Sequence, residues 1–471
     1  MKFPPGLFCA RAFSALTLFS ANAFAATYTV DSIAALQARL NSAVAGDTIT
    51  LKAGTYTTTA AIVVDRAGAA GKPITISAQA IGGVEIAGTH GFEVVKPAAY
   101  IVISGFNFTH TAGHDTIATG ADHVRFTRNT FHCSGEGAEI DVAGDDCEVD
   151  HNEFRDKAMI GNMVSVTGKD AQVARRLWLH HNYFHDYANA HKNGAETVRF
   201  GRSFFSMSRG DGLIEYNLFL RCTGENEIIT NKSCANTYRY NTFLDSPGGE
   251  LSQRHGNDCL IYGNYFRNTQ GIRICGDRHQ VFSNYLEGNS IAITMCNGDG
   301  EVADGAQLTC HDRPDNCVVS FNTLINNKVN FQMNGRVKGL GATNTTFANN
   351  LIQGGGKAAS ISDTAPYTGA IWSGNLIWKT DGAGDLPVSG CITADPLLVA
   401  DANGVFHLRS GSPAIDSAVG KFPAVIFDMD GQPRTDPKDK GADEFLSTPP
   451  ATARLLTPAD VGPNADMPKA H

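Results

Sequence analysis

Tyr216-Asn217-Leu218-Phe219, Tyr240-Asn241-Thr242-Phe243, Gly263-Asn264-Tyr265-Phe266 and Ser283-Asn284-Tyr285-Leu286 follow one another at short, nearly even steps. Toward the N-terminus the same phrase reads His181-Asn182-Tyr183-Phe184, His151-Asn152-Glu153-Phe154, Arg128-Asn129-Thr130-Phe131 and Phe106-Asn107-Phe108. Toward the C-terminus it reads Phe321-Asn322-Thr323-Leu324, Asn349-Asn350-Leu351-Ile352 and Gly374-Asn375-Leu376-Ile377. Across the eleven copies the gaps between asparagines run from 20 to 38 residues. The short gaps fit one coil of a solenoid, and the long ones fit a coil carrying an inserted loop. Each coil would hold short strands with period-two alternation, such as Ile101-Val102-Ile103 and Val124-Arg125-Phe126. The Asn is expected at a bend, where it tolerates left-handed backbone angles. Stacked copies can bond amide to amide along the axis, with Phe and Leu stacking inside. The fold predicted is all-β: a single-domain, right-handed parallel β-helix. A β-sandwich with incidental Asn-x-Phe turns is the alternative, and it does not explain eleven copies at coil-like spacing.

A solenoid needs its open ends covered. Asp31 to Leu40 supplies an N-terminal helical cap, with Asp31 or Ser32 as N-cap and Ile33, Leu36 and Leu40 on the apolar face. Residues of about 385–445, including Phe406-His407-Leu408, Asp428-Met429-Asp430-Gly431 and Gly441-Ala442-Asp443-Glu444-Phe445, read as a closing segment. Residues 446–471 are rich in Pro and Ala and are expected to form a loose tail.

Residues 1–25 read as a bacterial-type signal peptide. Lys2 and Arg11 precede or flank the apolar run from Ala12 to Phe19, and Ala23-Phe24-Ala25 is a small-x-small cleavage site. That run is too short to span a bilayer, and no other stretch qualifies as a transmembrane segment. The expected location is therefore secreted or periplasmic, with residues 26–445 as the β-helix domain. Removing the leader takes the formal charge from −9 to −11, which argues against a nucleic-acid partner. Of the 11 cysteines, ten remain after Cys9 is lost. An even number in an exported chain permits disulfides; Cys133 with Cys147, and Cys296 with Cys310 or Cys317, are the local pairings considered.

Charge is uneven along the chain. Residues 151–280 hold 16 Lys and Arg against 13 Asp and Glu, although the whole chain is at −9. Seven of the 15 histidines lie there too. Four phrases stand out within this strip: Asn193-Gly194-Ala195-Glu196-Thr197-Val198-Arg199-Phe200-Gly201, Glu225-Asn226-Glu227-Ile228-Ile229-Thr230-Asn231-Lys232-Ser233, Gln253-Arg254-His255-Gly256 and Gly271-Ile272-Arg273-Ile274-Cys275-Gly276. Residues one coil apart become neighbours about 4.8 Å apart along the axis. Lys232 and Arg254 are separated by close to one coil of sequence, and so are Arg199 and Glu225, so the phrases are expected to line one groove. Glu225 and Glu227, placed by alternation on one strand face, repel unless a cation joins them. With Asn193 they make an all-oxygen set suited to Ca²⁺; the bland alternative is neutralisation by Arg221 or Arg239. A Lys beside that ion and Arg254 sits in a positive field that disfavours its protonation, which makes Lys232 a usable base.

These phrases resemble those of polysaccharide lyase family 6, which includes alginate lyases and chondroitin B lyase. The resemblance runs from the N-terminal cap to about residue 350 and is densest over 193–280. The Glu-x-Glu-Ile-Ile-x-x-Lys-Ser phrase followed by Arg-His-Gly carries it. The resemblance implies that Lys232 is the catalytic base and Arg254 the second catalytic residue. It implies Asn193, Glu225 and Glu227 as Ca²⁺ ligands, and Arg273 in the substrate groove. His255, next to Arg254, is expected to assist binding. Arg199, Arg273 and His191 are candidates for holding sugar carboxylates, and Glu196 is grouped with these substrate-facing residues.

The expected reaction is Ca²⁺-assisted β-elimination on a 1,4-linked uronate polymer, alginate before dermatan-type chondroitin, leaving a 4,5-unsaturated uronate end. A hydrolase would use Glu225 and Glu227 as its acid–base pair but leaves the Lys-Ser and Arg-His-Gly phrases without a role. A uronate C5-epimerase would make the same carbanion and leave the chain intact. A non-catalytic polysaccharide-binding β-helix protein would tolerate loss of Lys232.

Overall fold

The computed structural model describes residues 25–111, 114–188, 193–362, 367–446 and 455–465; the expected leader, apart from Ala25, and His191 lie outside them. Within them, three parallel sheets run the length of a right-handed β-helix. One has 14 strands, from Thr27–Val30 to Ile371–Ser373. A second has 12, from Ile62–Val64 to Ala359–Ile361. The third has 14, from Gly54–Thr58 to Cys391–Thr393. Interior strands pair with the strand one coil before and one coil after, as in Leu218↔Thr242 and Thr242↔Tyr265, with a break in register between Glu227–Lys232 and Glu250–His255.

The asparagine phrase explains why the coils stack. From Asn129 to Asn375, each Asn Nδ2 donates to the Oδ1 of the Asn one coil on, at 2.9–3.1 Å. Each Asn backbone N–H donates to the same oxygen. These side chains are buried, and the ladder satisfies polar groups that would otherwise cost about 1–3 kcal/mol each. Asn107 is not a rung: it pairs with Thr130, and Phe106 donates its N–H to Asn129 instead. The left-handed residue is also not the Asn. It is the residue before it, from Arg128 to Gly374, with φ between +51° and +65°. The Asn is selected for its amide and its neighbour absorbs the bend.

Two residues past the ladder, Phe108, Phe131, Phe154, Phe184, Phe219, Phe243 and Phe266 stack with ring centroids 4.5–4.8 Å apart. Leu286 and Leu324 continue the column within the core. Each fully buried Phe contributes about 1.5–3 kcal/mol. At the N-terminal end the helix is Ile33–Leu40, capped by Ser32 Oγ on the Ala35 N–H at 3.2 Å, with Leu36 and Leu40 buried.

The chain's later part differs from the expectation in three ways. The closing segment folds back along the flank: Val405, Leu408, Ala414, Met429 and Ala442 pack on Tyr265, Tyr285, Leu351 and Leu376, outward residues of the third sheet. The tail is not loose throughout. Leu456 N–H donates to Thr242, Gly462 N–H to the His181 carbonyl, and Arg128 Nη1 to the Pro463 carbonyl at 2.6 Å. Finally, the disulfide joins Cys275 to Cys296, with Cα atoms 5.0 Å apart, whereas Cys133, Cys147, Cys310 and Cys317 are free. Ile274 pairs with Met295, so the next two residues face each other across one coil. Pairing followed coil register rather than closeness in sequence.

Candidate active site

The 12-stranded sheet carries the four phrases on consecutive strands: Val198–Phe200, Glu227–Lys232, Glu250–His255 and Gly271–Ile274. Alternation turns Val198, Phe200, Ile229, Leu251, Ile272 and Ile274 into the core. The outward column then reads Ser165, Arg199, Thr230, Ser252, Arg273, Thr294. Arg199 and Arg273 thus flank the two middle strands on either side along the axis. Arg199 is level with Thr230, not with Glu225, because the coil between them carries the 201–212 loop.

The pairing of the middle strands is irregular, and the irregularity aims the chemistry. Asn231 pairs with Gln253 and Lys232 with His255, leaving Arg254 as the extra residue. A bulge of this kind re-aims a side chain beside a site. Gly256, at φ +91°, follows it; a Cβ there would lie 2.4 Å from the Ser233 carbonyl oxygen, so only glycine lets the coils close behind the bulge.

Three buried carboxylates converge at the N-terminal edge of these strands. Glu196, Glu225 and Glu227 place oxygens within 4.8 Å of one another. Glu225 lies in the loop before the strand, so its convergence with Glu227 does not come from alternation. Backbone N–H groups of Gly194 and Ala195 hold Glu225 Oε2 at 2.6 and 3.1 Å. Burial pushes the Glu225 carboxyl upward, and Glu196 pushes it further. Glu196, grouped in the sequence with the substrate-facing residues, is 2% exposed and belongs to this acidic trio. It also accepts from Asn162 Nδ2 at 3.1 Å and lies 3.6 Å from Lys232 Nζ.

Lys232 is mostly buried, and burial lowers its pKa; Glu196 opposes that and Arg254 adds to it. Arg254 Nη1 reaches Glu227 at 3.2 Å, and Arg273 Nη1 reaches Glu227 at 3.3 Å and Glu250 at 3.5 Å. His255 is buried and depressed to about 3 by burial and by His311, whose ring stands 5.2 Å away. It is neutral at ordinary pH.

A cavity of about 680 Å³ opens over this face. Of the sequence-predicted residues, Asn193, Glu225, Glu227, Arg254 and Arg273 line it; Lys232, Arg199, Glu196 and His255 are not on its lining. The sequence reading missed Glu250, Gln270, His311 and Arg336, which do line it. Glu250 carried a usable signal: it follows Glu227 at the interval of one coil and pairs with it. His311 and Arg336 come from inserted loops and carried none.

The family model described as chondroitinase B matches residues 30–386. No curated protein matches the chain. Among solved structures, the PL6 family alginate lyase AlyGC superposes with a TM-score of 0.72 at 25% identity, over 82% of this chain and 55% of that one. This chain therefore spans little more than half the length of that lyase. A mannuronic acid specific polysaccharide family 6 lyase from human gut microbiota matches with a TM-score of 0.70 at 26% identity, over 79% of this chain and 91% of that one. A PL6 alginate lyase in complex with a trisaccharide shares the fold at 19% identity and a TM-score of 0.67, over 82% of this chain and 92% of that one.

Proposed function

The chain belongs to the chondroitinase B family, polysaccharide lyase family 6, and from that premise we propose that it cleaves a 1,4-linked uronate polymer, alginate first, by Ca²⁺-assisted β-elimination. The observation that carries the reading is the joint placement of a buried carboxylate trio, a desolvated Lys232 and a bulged Arg254 on adjacent coils. Alginate is favoured over dermatan-type chondroitin because the solved relatives at 25% and 26% identity are described as an alginate lyase and a mannuronic acid specific lyase. The family description keeps dermatan as the second substrate to test.

The residues present suit a hard divalent cation. Glu196, Glu225 and Glu227 offer three buried oxygens close together, and such a group is costly without positive charge to join it. Asn193, on the same cavity wall, adds an amide oxygen. When bound, the ion supplies positive charge against a substrate carboxylate whose charge grows as the C5 proton leaves.

This chain's side chains do the rest. Lys232, with its pKa lowered by burial, accepts the C5 proton on Nζ. Arg254 donates hydrogen bonds to the leaving 4-oxygen and steadies its charge, and water in the open groove supplies the proton that this oxygen gains as it leaves. The C5–H electron pair forms the C4–C5 double bond as the C4–O bond breaks. Arg199 and Arg273 hold carboxylates of the sugars on either side of the reacting one. His255, neutral, pairs with Lys232 across one coil and faces His311. His191 is kept as a further carboxylate-binding candidate on sequence grounds alone.

The test is near-ultraviolet absorbance with alginate, with and without a calcium chelator. A rise that the chelator abolishes and calcium restores supports the reading. A rise on dermatan sulfate alone changes the substrate. No rise on any polyuronate by folded protein removes the lyase reading in favour of an epimerase or a binding protein. The same reading places residues 1–25 as a cleaved export signal and the enzyme in the periplasm or outside the cell. Recovering chains that begin at residue 26 from those fractions checks it.

A further inference from the structure

Glu250 belongs to no motif, yet it is built into the groove. It is 3% exposed and pairs across the sheet with Glu227. A second carboxylate beside a first is unfavourable unless it holds something. Both of its oxygens are in use. Oε2 accepts from Gln270 Nε2 at 2.9 Å, and Oε1 faces Arg273 Nη1 at 3.5 Å. Gln270 and Arg273 lie on the next coil, so Glu250 is gripped from the strand it pairs with. Arg273 in turn touches Glu227 through the same Nη1. Among the described residues, its Nε and Nη2 make no hydrogen bond, and the residue faces the cavity with its side chain 28% exposed.

Glu227 is shared: Arg254 also takes one of its oxygens. Among the described residues, Glu250 makes no ion pair with Arg254. The two guanidiniums therefore rest on different footings, and only Arg273 has a carboxylate that Arg254 does not compete for. Resting on the lyase reading above, we propose that Glu250 is a positioning residue: it fixes Arg273 with Nε and Nη2 turned to receive the carboxylate of the uronate next to the reacting one. The spacing suits this. Arg273 stands one coil beyond Arg254, about 4.8 Å along the axis, and a bidentate guanidinium–carboxylate pair needs the fork held in one orientation. Long Arg side chains are otherwise free to leave it.

The test is a kinetic cycle on the full chain with Glu250→Gln, Arg273→Ala and the double variant, using alginate and calcium. Glu250→Gln keeps the shape and removes the charge. The expected result is a KM about tenfold higher with kcat within about twofold, since loss of uniform binding raises KM alone. Arg273→Ala should raise KM by a similar factor, and the double variant should be no worse than Arg273→Ala, because the two act through one contact. Calorimetric calcium binding should be unchanged in Glu250→Gln, which separates positioning from ion binding. Additive effects, a fall in kcat at constant KM, or a wild-type-like Glu250→Gln each overturn the inference while leaving the lyase reading intact. A wild type that neither turns over nor binds any polyuronate removes that reading, and this inference with it. If Glu250→Gln melts early, Glu250→Asp is measured in its place and should retain part of the affinity for substrate.

Discussion

Lys232 Nζ stands 3.6 Å from Glu196 Oε1, an ion pair in which the lysine side chain is 12% exposed and the glutamate 2%. Burial lowers the lysine's pKa and Glu196 raises it. The ammonium therefore has Glu196 to lean on, with Glu227 farther off, and a desolvated setting that favours its neutral form.

Lys232→Ala and Lys232→Arg should both lose activity by about 10³-fold, within the range of general-base catalysis. The arginine variant keeps the charge and cannot act as a base, so equal losses assign the role to proton abstraction. Absorbance assays at matched folded concentration, checked by circular dichroism, decide it. An arginine variant with near-normal rates would assign Lys232 to binding.

Calcium at about 100 times its Kd should stabilise the native protein by about 2.7 kcal/mol, seen as a rise in Tm that a chelator reverses. Glu196→Gln, Glu225→Gln and Glu227→Gln should each weaken calcium binding at least about tenfold, measured by titration calorimetry with no substrate present. An unchanged affinity in all three would move the ion elsewhere.

His407 gives a pH dependence far from the catalytic face. It lies among Asp443, Asp430 and Asp401 at 3.3, 3.6 and 3.7 Å, and despite burial these acids raise its pKa to about 9. A histidine whose folded pKa exceeds the unfolded value binds its proton more tightly when folded. Its contribution is complete below about pH 6.5 and disappears as pH rises through about 9. Urea midpoints should fall across that window, and His407→Gln should flatten the fall.

Asn264→Ala should cost about 3 kcal/mol or more, because three acceptors and two donors lose a hydrogen bond together. Asn264 donates to Asn284 and to the Tyr238 and Tyr262 carbonyls, and it accepts from Asn241. Chemical denaturation measures this. Activity per folded molecule should be retained, since the ladder lies on the bend opposite the 12-stranded sheet's outer face.

The fold was legible because one coil leaves a mark that survives inserted loops: an amide that must meet its copy, then an apolar residue that must stack. Lys232, Arg254 and the glutamates were legible as local phrases. Levels along the axis were less so. Counting one coil's length of sequence on from Arg199 pointed to Glu225, but an inserted loop puts Thr230 there. The same problem hid Cys275–Cys296, because Cys317 lies as far along the sequence from Cys296 as Cys275 does and only the loop inserted after Cys296 takes it out of register; Glu250 was hidden by the lack of any phrase around it. The docking of residues 455–465 had no signal, since its bonds use backbone carbonyls and N–H groups that any sequence offers.

That docking sets an order of events. Arg128 is tied to the carbonyl of Pro463, 335 residues away, and the coil bearing His181 receives the Gly462 N–H. During synthesis, the early coils can wind while this strap is still to come. They reach their final contacts only when the far end of the chain arrives. Coils that touch only their neighbours can fray from an end one at a time; here the strap fastens late-made residues to early-made ones, and loosening either end tugs on the other.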